Sequence, residues 1–363
     1  ITQASMNNEL RLLIISDGKP GHVSGSLGVL KSIESFMPVT SETLNVRLRI
    51  KGARPLLKSI LNHNILNRIP SDIQNKLIRI FYKIDSKPFA PTNTFDWIVS
   101  AGGDTSFINA WIARLAGTKN IYCSSLRGLN PELFTITTTA TSASTAPNNI
   151  NLKLAPAPIS RKNITEQGLA FRAEHKLQND RLWAVLIGGD GAGYTYSKTE
   201  MQDLANGLLK LAQINDAKLL VTTSRRTGIK KEQILKAILD NQPQVAYAAY
   251  FNNKPEKVVA KYLGAAEVVF CTAESGSMIT ESMAAGKPLY LLQPKAIRNT
   301  PFYRSFLQGH IDGKRLREIN ICDINTIEIK SDTKNHFELL GQDPITELAE
   351  KLKAWMVKPP KNS

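Results

Sequence analysis

Residues 268–293, VVFCTAESGSMITESMAAGKPLYLLQ, fit two apolar runs and a helix-like segment into one short span. Val268, Val269 and Phe270 read as a strand and Ser275, Gly276 and Ser277 as a turn. The segment up to Gly286 reads as a helix, and after Pro288 the run from Leu289 to Leu292 reads as a second strand. This order of strand, loop, helix and strand is that of a βαβ unit in a parallel sheet. A turn of small residues opening a helix presents N–H groups and hydroxyls where the helix dipole favours negative charge. Ser275, Gly276, Ser277 and Met278 are therefore candidate phosphate contacts, and Glu281, further into the helix, is a candidate for a ribose hydroxyl. The same pattern also fits an ordinary βαβ unit with a polar N-cap.

The chain of 363 residues is long enough for two α/β domains. A formal net charge of +15 calls for an anionic partner without choosing among nucleotide, lipid and phosphorylated glycan. The basic residues are spread and form no recognised nucleic-acid module, so no nucleic-acid partner is expected. Cys123, Cys271 and Cys322 lie far apart with no CxxC pair, so free thiols are expected and a metal site is not. No apolar run has the length of a transmembrane helix and the first residues lack a signal-peptide pattern, so a cytoplasmic protein is expected. Met6 reads as a natural start, with the five preceding residues as a cloning remnant.

Taken in order, RLLIIS (11–16) has the form of a buried parallel strand, and Asp17, Gly18, Lys19, Pro20, Gly21 and His22 follow it before a segment with Leu27, Leu30 and Ile33 at helical spacing. Ligands in open α/β sheets sit at the carboxyl ends of strands, which makes Asp17 and His22 candidates for an active-site rim; capping roles are the alternative. Between residues 47 and 87 the chain is basic and apolar together. Leu57, Ile60 and Leu61 space like one helix face, and Ile73, Leu77, Ile80 and Phe81 like a second, with Lys76, Arg79 and Lys83 opposite. The part bounded by Leu56 and Lys83 suits an anionic membrane surface, or two ordinary surface helices. FDWIVS (95–100) is a strand, followed by Gly102, Gly103 and Asp104 and a helix over 106–116; residues 120–124 are another strand, and the Thr-rich 135–145 a strand with a loop.

Prolines near 155–160 mark a linker, after which the pattern restarts. Strands are expected at 182–187, 218–222 and 245–251, and helices at 198–213, 230–239 and 255–263. This alternation argues a parallel sheet wrapped by helices. Gly188 and Gly189 close the first of these strands, and Ser224, Arg225 and Arg226 follow the second. Two guanidiniums at the end of a buried strand need anionic partners, and Arg suits bidentate phosphate binding. The alternative is one Arg facing solvent and one in a salt bridge.

The blocks SDGKPGH, VTTSRRT and TAESGSMITESMAAGKP resemble, in order and across most of the chain, the plant elongated-mitochondria fission family and its bacterial relatives, which are described as glycosyltransferases. The last block is also similar to the donor segment of GT-B glycosyltransferases such as the lipid-linked N-acetylglucosamine transferase of peptidoglycan synthesis and the Kdo transferases. The resemblance implies an α/β, GT-B-like architecture: two Rossmann-like domains with parallel sheets facing across a cleft. Residues 1–157 would hold the acceptor and 158–343 the nucleotide-sugar, with 344–363 a helix packing back on the first domain. It also implies a nucleotide-sugar as co-substrate, no cofactor and no metal.

On this reading Asp17, His22 or Asp104 takes the proton of the acceptor hydroxyl. Gly188, Gly189, Ser224, Arg225, Arg226, Ser275, Gly276, Ser277, Met278 and Glu281 bind the donor, and Gly18, Lys19, Gly21, Gly102 and Gly103 line the acceptor side. The expected acceptor is a lipid-linked, lipopolysaccharide or other cell-envelope glycan, with the protein peripheral at the inner face of the membrane. Two other readings stand beside it. One is a non-catalytic adaptor that recruits partners to membranes, since plant members are discussed in that role; the other is a nucleotide-sugar epimerase using Asp104 and Asp190.

Overall fold

The computed structural model describes residues 9–85, 95–140, 144–298, 300–330 and 332–357. The expected start at Met6, part of the Thr-rich patch, Lys87 and the last six residues lie outside them. The chain divides into two compact units, Ile1–Ile159 with Pro344–Ser363, and Ser160–Asp343.

The first unit begins with β1 (Leu10–Ser16), α1 (Pro20–Glu34), β2 (Val39–Leu48), α2 (Arg54–Asn62), α3 (Ser71–Phe81) and β3 (Tyr82–Ile84). It continues with β4 (Trp97–Ala101), α4 (Thr105–Ala116), β5 (Lys119–Cys123), β6 (Ile136–Thr139) and β7 (Asn149–Asn151). The strands form one sheet in the order β3-β2-β1-β4-β5-β6-β7, parallel except for the antiparallel edge β3. β1 is apolar along its length because both faces of the sheet are covered. Leu12 and Ile14 pack with Val29 and Ile33 of α1 and with Leu348 and Leu352, whereas Leu13 and Ile15 pack with Leu57, Ile108 and Trp111. Alternate side chains of a strand point to opposite faces, so one run serves two cores.

The second unit comprises α5 (Arg161–Glu174), β8 (Leu182–Ile187), β9 (Tyr194–Thr195), α6 (Lys198–Ile214), β10 (Lys218–Thr223), α7 (Gly228–Leu239) and β11 (Val245–Ala249). After these come α8 (Val259–Ala265), β12 (Val268–Thr272), α9 (Gly276–Ala284), β13 (Leu289–Gln293), β14 (Ala296–Ile297), α10 (Pro301–Asp312) and β15 (Arg317–Asn320). Its main sheet is parallel in the order β11-β10-β8-β12-β13-β15, and β9 and β14 form a small antiparallel pair. The last helix, α11 (Pro344–Met356), carries Leu348 and Leu352 into the core of the first unit.

In each unit the chain runs outward from its first strand and then jumps back to that strand's other side. The order therefore reverses between β1 and β4, and again between β8 and β12. Such a reversal leaves a crevice at the carboxyl ends of the two strands, the usual ligand position in open α/β sheets.

Four local readings differ from the sequence expectation. The buried face of α3 is Gln74 and Ile78, while Ile73 and Ile80 are 43% and 57% exposed. Gln74 tolerates burial because its amide donates to Leu66 O (2.9 Å) and Ile69 O (2.8 Å) and accepts from Trp111 Nε1 (3.0 Å), which satisfies the group. β11 ends at Ala249, because the chain turns at Tyr250, whose carbonyl accepts from Asn253 and Lys254. α8 starts only at Val259, four residues after the expected Pro255. The proline-rich stretch near 155–160 is packed down, not a free linker: Leu154 and Ala157 are buried, and a Cβ on Gly28 of α1 would lie 2.3 Å from Ala157 N.

α5 and α8 cross at two glycines. A Cβ on Gly264 would lie 1.9 Å from Ile164 O, and one on Gly168 would lie 2.1 Å from Gly264 C, so backbone would have to move in either case. Gly264→Ala should therefore destabilise the second unit by about 1–3 kcal/mol in urea denaturation; an unchanged midpoint would show that the crossing has slack.

Candidate functional site

In the second unit, three strand ends are stitched together at one glycine. The N–H of Gly188, directly after β8, donates to Thr272 Oγ1 at the end of β12 (2.7 Å). Its carbonyl accepts from Ser224 Oγ and Thr227 Oγ1, which follow β10. Gly188 is needed here because a Cβ would lie 1.9 Å from Glu274 Oε1. Gly189 has φ +110, and a Cβ there would lie 2.4 Å from Arg226 O.

α9 begins against this junction. Its N-cap, Ser275, makes no side-chain capping bond, and no acidic residue lies in the first turn. The N–H groups of Ser277 and Met278 have no acceptor among the described residues. Unsatisfied first-turn N–H groups at the positive end of a helix dipole can bind an anion. Glu281 lies one turn below Ser277 on the same face. It is half-buried, its side chain has no hydrogen-bond or ion-pair partner among the described residues, and burial pushes its carboxyl above the ordinary value.

The two arginines after β10 differ. Arg225 is exposed and without a partner among the described residues, whereas Arg226 pairs with Glu274 (3.4 Å) and donates to Asp190 O (3.4 Å). Glu274 was not singled out in the sequence. Its side chain is fully buried, and burial pushes its carboxyl up against the opposing pull of its own backbone N–H, Thr272 and Arg226. Nearby Asp190 pairs with Lys231 (2.6 Å) and accepts from Tyr196 N (2.9 Å). Burial opposes its charge, but these bonds outweigh it and hold the carboxyl below its ordinary value.

In the first unit, the β1–β4 crevice brings Asp17, Lys19, His22, Gly102 and Gly103 together. His22 Nδ1 lies 2.9 Å from both Asp17 oxygens, and Lys19 Nζ lies 3.3 Å from Asp17 Oδ2. A carboxylate only accepts, so Nδ1 carries a proton, and in the neutral ring Nε2 then has the free lone pair. Gly102 has φ +74, and a Cβ there would lie 2.2 Å from His22 Nε2. Gly18 also has positive φ, whereas Gly21 has ordinary φ and open space around it.

Asp104 is engaged elsewhere. Arg54 Nε and Nη2 grip it at 2.7 and 2.9 Å, and the Tyr82 hydroxyl donates to its carbonyl at 2.7 Å. The bond from Arg54 outweighs burial and holds the carboxyl below its ordinary value, so Asp104 suits holding a charge more than taking a proton. Arg54 and Lys231, the partners of the two aspartates, carry no sequence signal, because each lies about forty to fifty residues from the carboxylate it pairs with.

A carboxyl whose pKa is lowered by folding contributes stability above its unfolded pKa and loses it as pH falls through the folded value. Asp104→Asn should thus lower the urea midpoint at pH 7, with the difference from wild type shrinking below about pH 4. A difference that persists at pH 2 would point to a packing role instead.

The family model described as mitochondrial fission ELM1 matches residues 20–309. An uncharacterized protein of Rickettsia prowazekii (strain Madrid E) is 28% identical over 176 residues, 47% of this chain. The aligned part spans about half (48%) of that relative. Among solved structures, one from Listeria monocytogenes assigned as a UDP-N-acetylglucosamine 2-epimerase has a TM-score of 0.57 at 10% identity, covering 97% of this chain and 98% of its own. A co-structure of S. aureus MnaA with UDP has a TM-score of 0.50 at 10% identity (98% and 100% covered). The calicheamicin glycosyltransferase CalG4 has a TM-score of 0.50 at 11% identity (97% and 100% covered). At such identities the likeness establishes the fold alone: α/β, of the GT-B kind, with two Rossmann-like units.

Proposed function

The chain belongs to the mitochondrial fission ELM1 family, and from that premise we propose that it is a nucleotide-sugar-dependent glycosyltransferase of the GT-B kind. It works without a bound metal and acts on a cell-envelope or lipid-linked glycan. The observation that carries this reading is that the segments following β8, β10 and β12 carry the glycines 188 and 189, Arg225, the N–H groups of Ser277 and Met278 and the Glu281 carboxyl, and that among the described residues neither these N–H groups nor these two side chains have a partner. A nucleoside diphosphate has complementary chemistry. Its phosphates match the N–H groups and Arg225, its ribose hydroxyls match Glu281, and the glycines allow close approach.

In the transfer, the acceptor oxygen bonds to the anomeric carbon and its proton passes to a base, while the bond from that carbon to the phosphate oxygen breaks and the electron pair leaves with the nucleotide. N–H groups and a guanidinium stabilise that leaving charge. His22 is the base in this reading, because Asp17 fixes its tautomer and leaves Nε2 able to accept. The epimerase reading takes Asp104 and Asp190 as its acid and base, but each is tied to a cation, which favours transfer. The adaptor reading gives no reason for such groups to follow three adjoining strands.

A membrane-associated acceptor is supported by the surface of α2 and α3. Leu56, Ile73 and Ile80 are 53%, 43% and 57% exposed, and Lys76, Arg79 and Lys83 are exposed in the same segment. Among the described residues no helix is long and apolar enough to cross a membrane. Replacing Lys76, Arg79 and Lys83 together with Gln should weaken cosedimentation with phosphatidylglycerol vesicles by about 1 kcal/mol per charge. Unchanged cosedimentation would remove membrane docking from the proposal.

The donor site is tested by calorimetry with UDP-, GDP- and ADP-sugars. Arg225→Ala should weaken the one that binds by about tenfold or more, the usual loss for one charge-assisted contact, without altering thermal stability. Absence of binding by every sugar nucleotide at millimolar concentration would overturn the reading in favour of the adaptor.

A further inference from the structure

Glu274 and its partner Arg226 stand at the β8–β12 crevice, and neither is among the groups matched above to the nucleotide. Thr272 Oγ1 donates to its Oε1 (3.3 Å) and Arg226 Nη2 lies 3.4 Å away, while Oε2 is buried with no partner among the described residues. Arg226 is held loosely. Both of its side-chain bonds, to Glu274 and to Asp190 O, measure 3.4 Å, well beyond the 2.7–2.9 Å usual for charge-assisted bonds, and its side chain is 40% exposed.

Glu274 itself has nowhere to go. The neighbouring peptide is fixed on both sides: Ala273 N donates to the Tyr196 hydroxyl (2.9 Å) and the Tyr303 hydroxyl donates to Ala273 O (2.7 Å). Gly188 closes over Oε1, and only its lack of a side chain leaves room for the carboxyl. An anion arriving at the crevice can therefore draw Arg226 away, and Glu274 cannot follow.

We propose that Glu274 is the internal counter-ion of the empty donor site: it holds Arg226 over the crevice until the diphosphate of a sugar nucleotide takes the guanidinium, and Glu274 then takes up a proton from solvent. The inference rests on the donor-site reading above. A buried carboxylate that loses the cation paired with it and gains an anionic neighbour is shifted toward the neutral acid.

The other groups around it do not supply the same exchange. Burial holds Tyr196, Tyr303 and Cys271 above their ordinary values, so they stay neutral on both sides of the step. Asp190 is tied to Lys231. Glu232 of α7, beside the end of β10, is held by Thr223 and Asn252, whereas the Glu281 carboxyl on α9 is raised by burial and is the rival source of any exchange.

The test is calorimetry of the full chain with the sugar nucleotide that binds, in buffers of different ionisation enthalpy between pH 5 and 8. A sugar nucleotide is the right probe because its diphosphate does not titrate in that range. The wild type should take up as much as one proton per ligand, with affinity falling by up to about tenfold per pH unit as pH rises through the window between the free and bound values. Glu274→Gln should bind with no uptake and a flat pH profile, while Glu281→Gln, though weaker, should retain the uptake. Binding by the wild type without proton uptake would overturn the inference alone, a measurement that needs no variant to fold. Uptake that survives in Glu274→Gln and vanishes in Glu281→Gln would overturn it in favour of Glu281. Absence of binding by any sugar nucleotide would overturn the donor-site reading and this inference with it.

Discussion

The parallel pairing of β8 on both of its edges, with β10 and β12, is the interaction on which the second unit's site depends. It brings the loops that follow three strands to a single point. Gly188, Thr272, Ser224 and Thr227 then tie those loops together through the main chain of one glycine. Each bond is short-range, but none forms without the register of the sheet behind it. The side chains of β8 are apolar and buried on both faces of the sheet, so its register rests on the fit of large and small side chains to their neighbours.

The two units solve the same packing problem in the same way. At each reversal of strand order, an ionisable side chain lies against a glycine from the neighbouring strand's loop: His22 against Gly102 in the first unit, Glu274 against Gly188 in the second. In each case a second charged group completes the arrangement, Asp17 beside His22 and Arg226 beside Glu274. The glycines are thus explained by what they face as much as by their own backbone angles. The consequences differ with exposure. The side chain of His22 is 28% exposed and presents a free nitrogen, whereas that of Glu274 is wholly buried and presents none.

Much of this was legible from residue order. The βα alternation, the glycine turns, the placing of Asp17 and His22 after the first strand and the helix opening at Gly276 all follow from local pattern, because strands, turns and caps depend on residues close in sequence. For the arginine pair, the sequence left open whether one residue faced solvent and the other sat in a salt bridge, and Arg225 and Arg226 divide in that way. Glu274 was not legible. It stands in a polar turn just before an N-cap, where an exposed carboxylate is ordinary, and it is buried by Gly188 and Gly191, more than eighty residues away. The face of α3 was misread for a related reason. Gln74 counts as polar in any periodicity, yet Trp111 and two carbonyls give its amide all the partners that burial demands.

The sequence by itself determined that the chain makes two helix-wrapped parallel sheets, and which loops stand at the ends of their strands. Apolar periodicity and turn chemistry are local and survive without knowledge of neighbours. Only the tertiary structure decided which charges are spent on one another. Asp104 goes to Arg54, Asp190 to Lys231, and Arg226 to Glu274, while the side chains of Arg225 and Glu281 have no partner among the described residues. An ion pair depends on distance in space and on how much water remains around it, and neither is written in the spacing of residues along a chain.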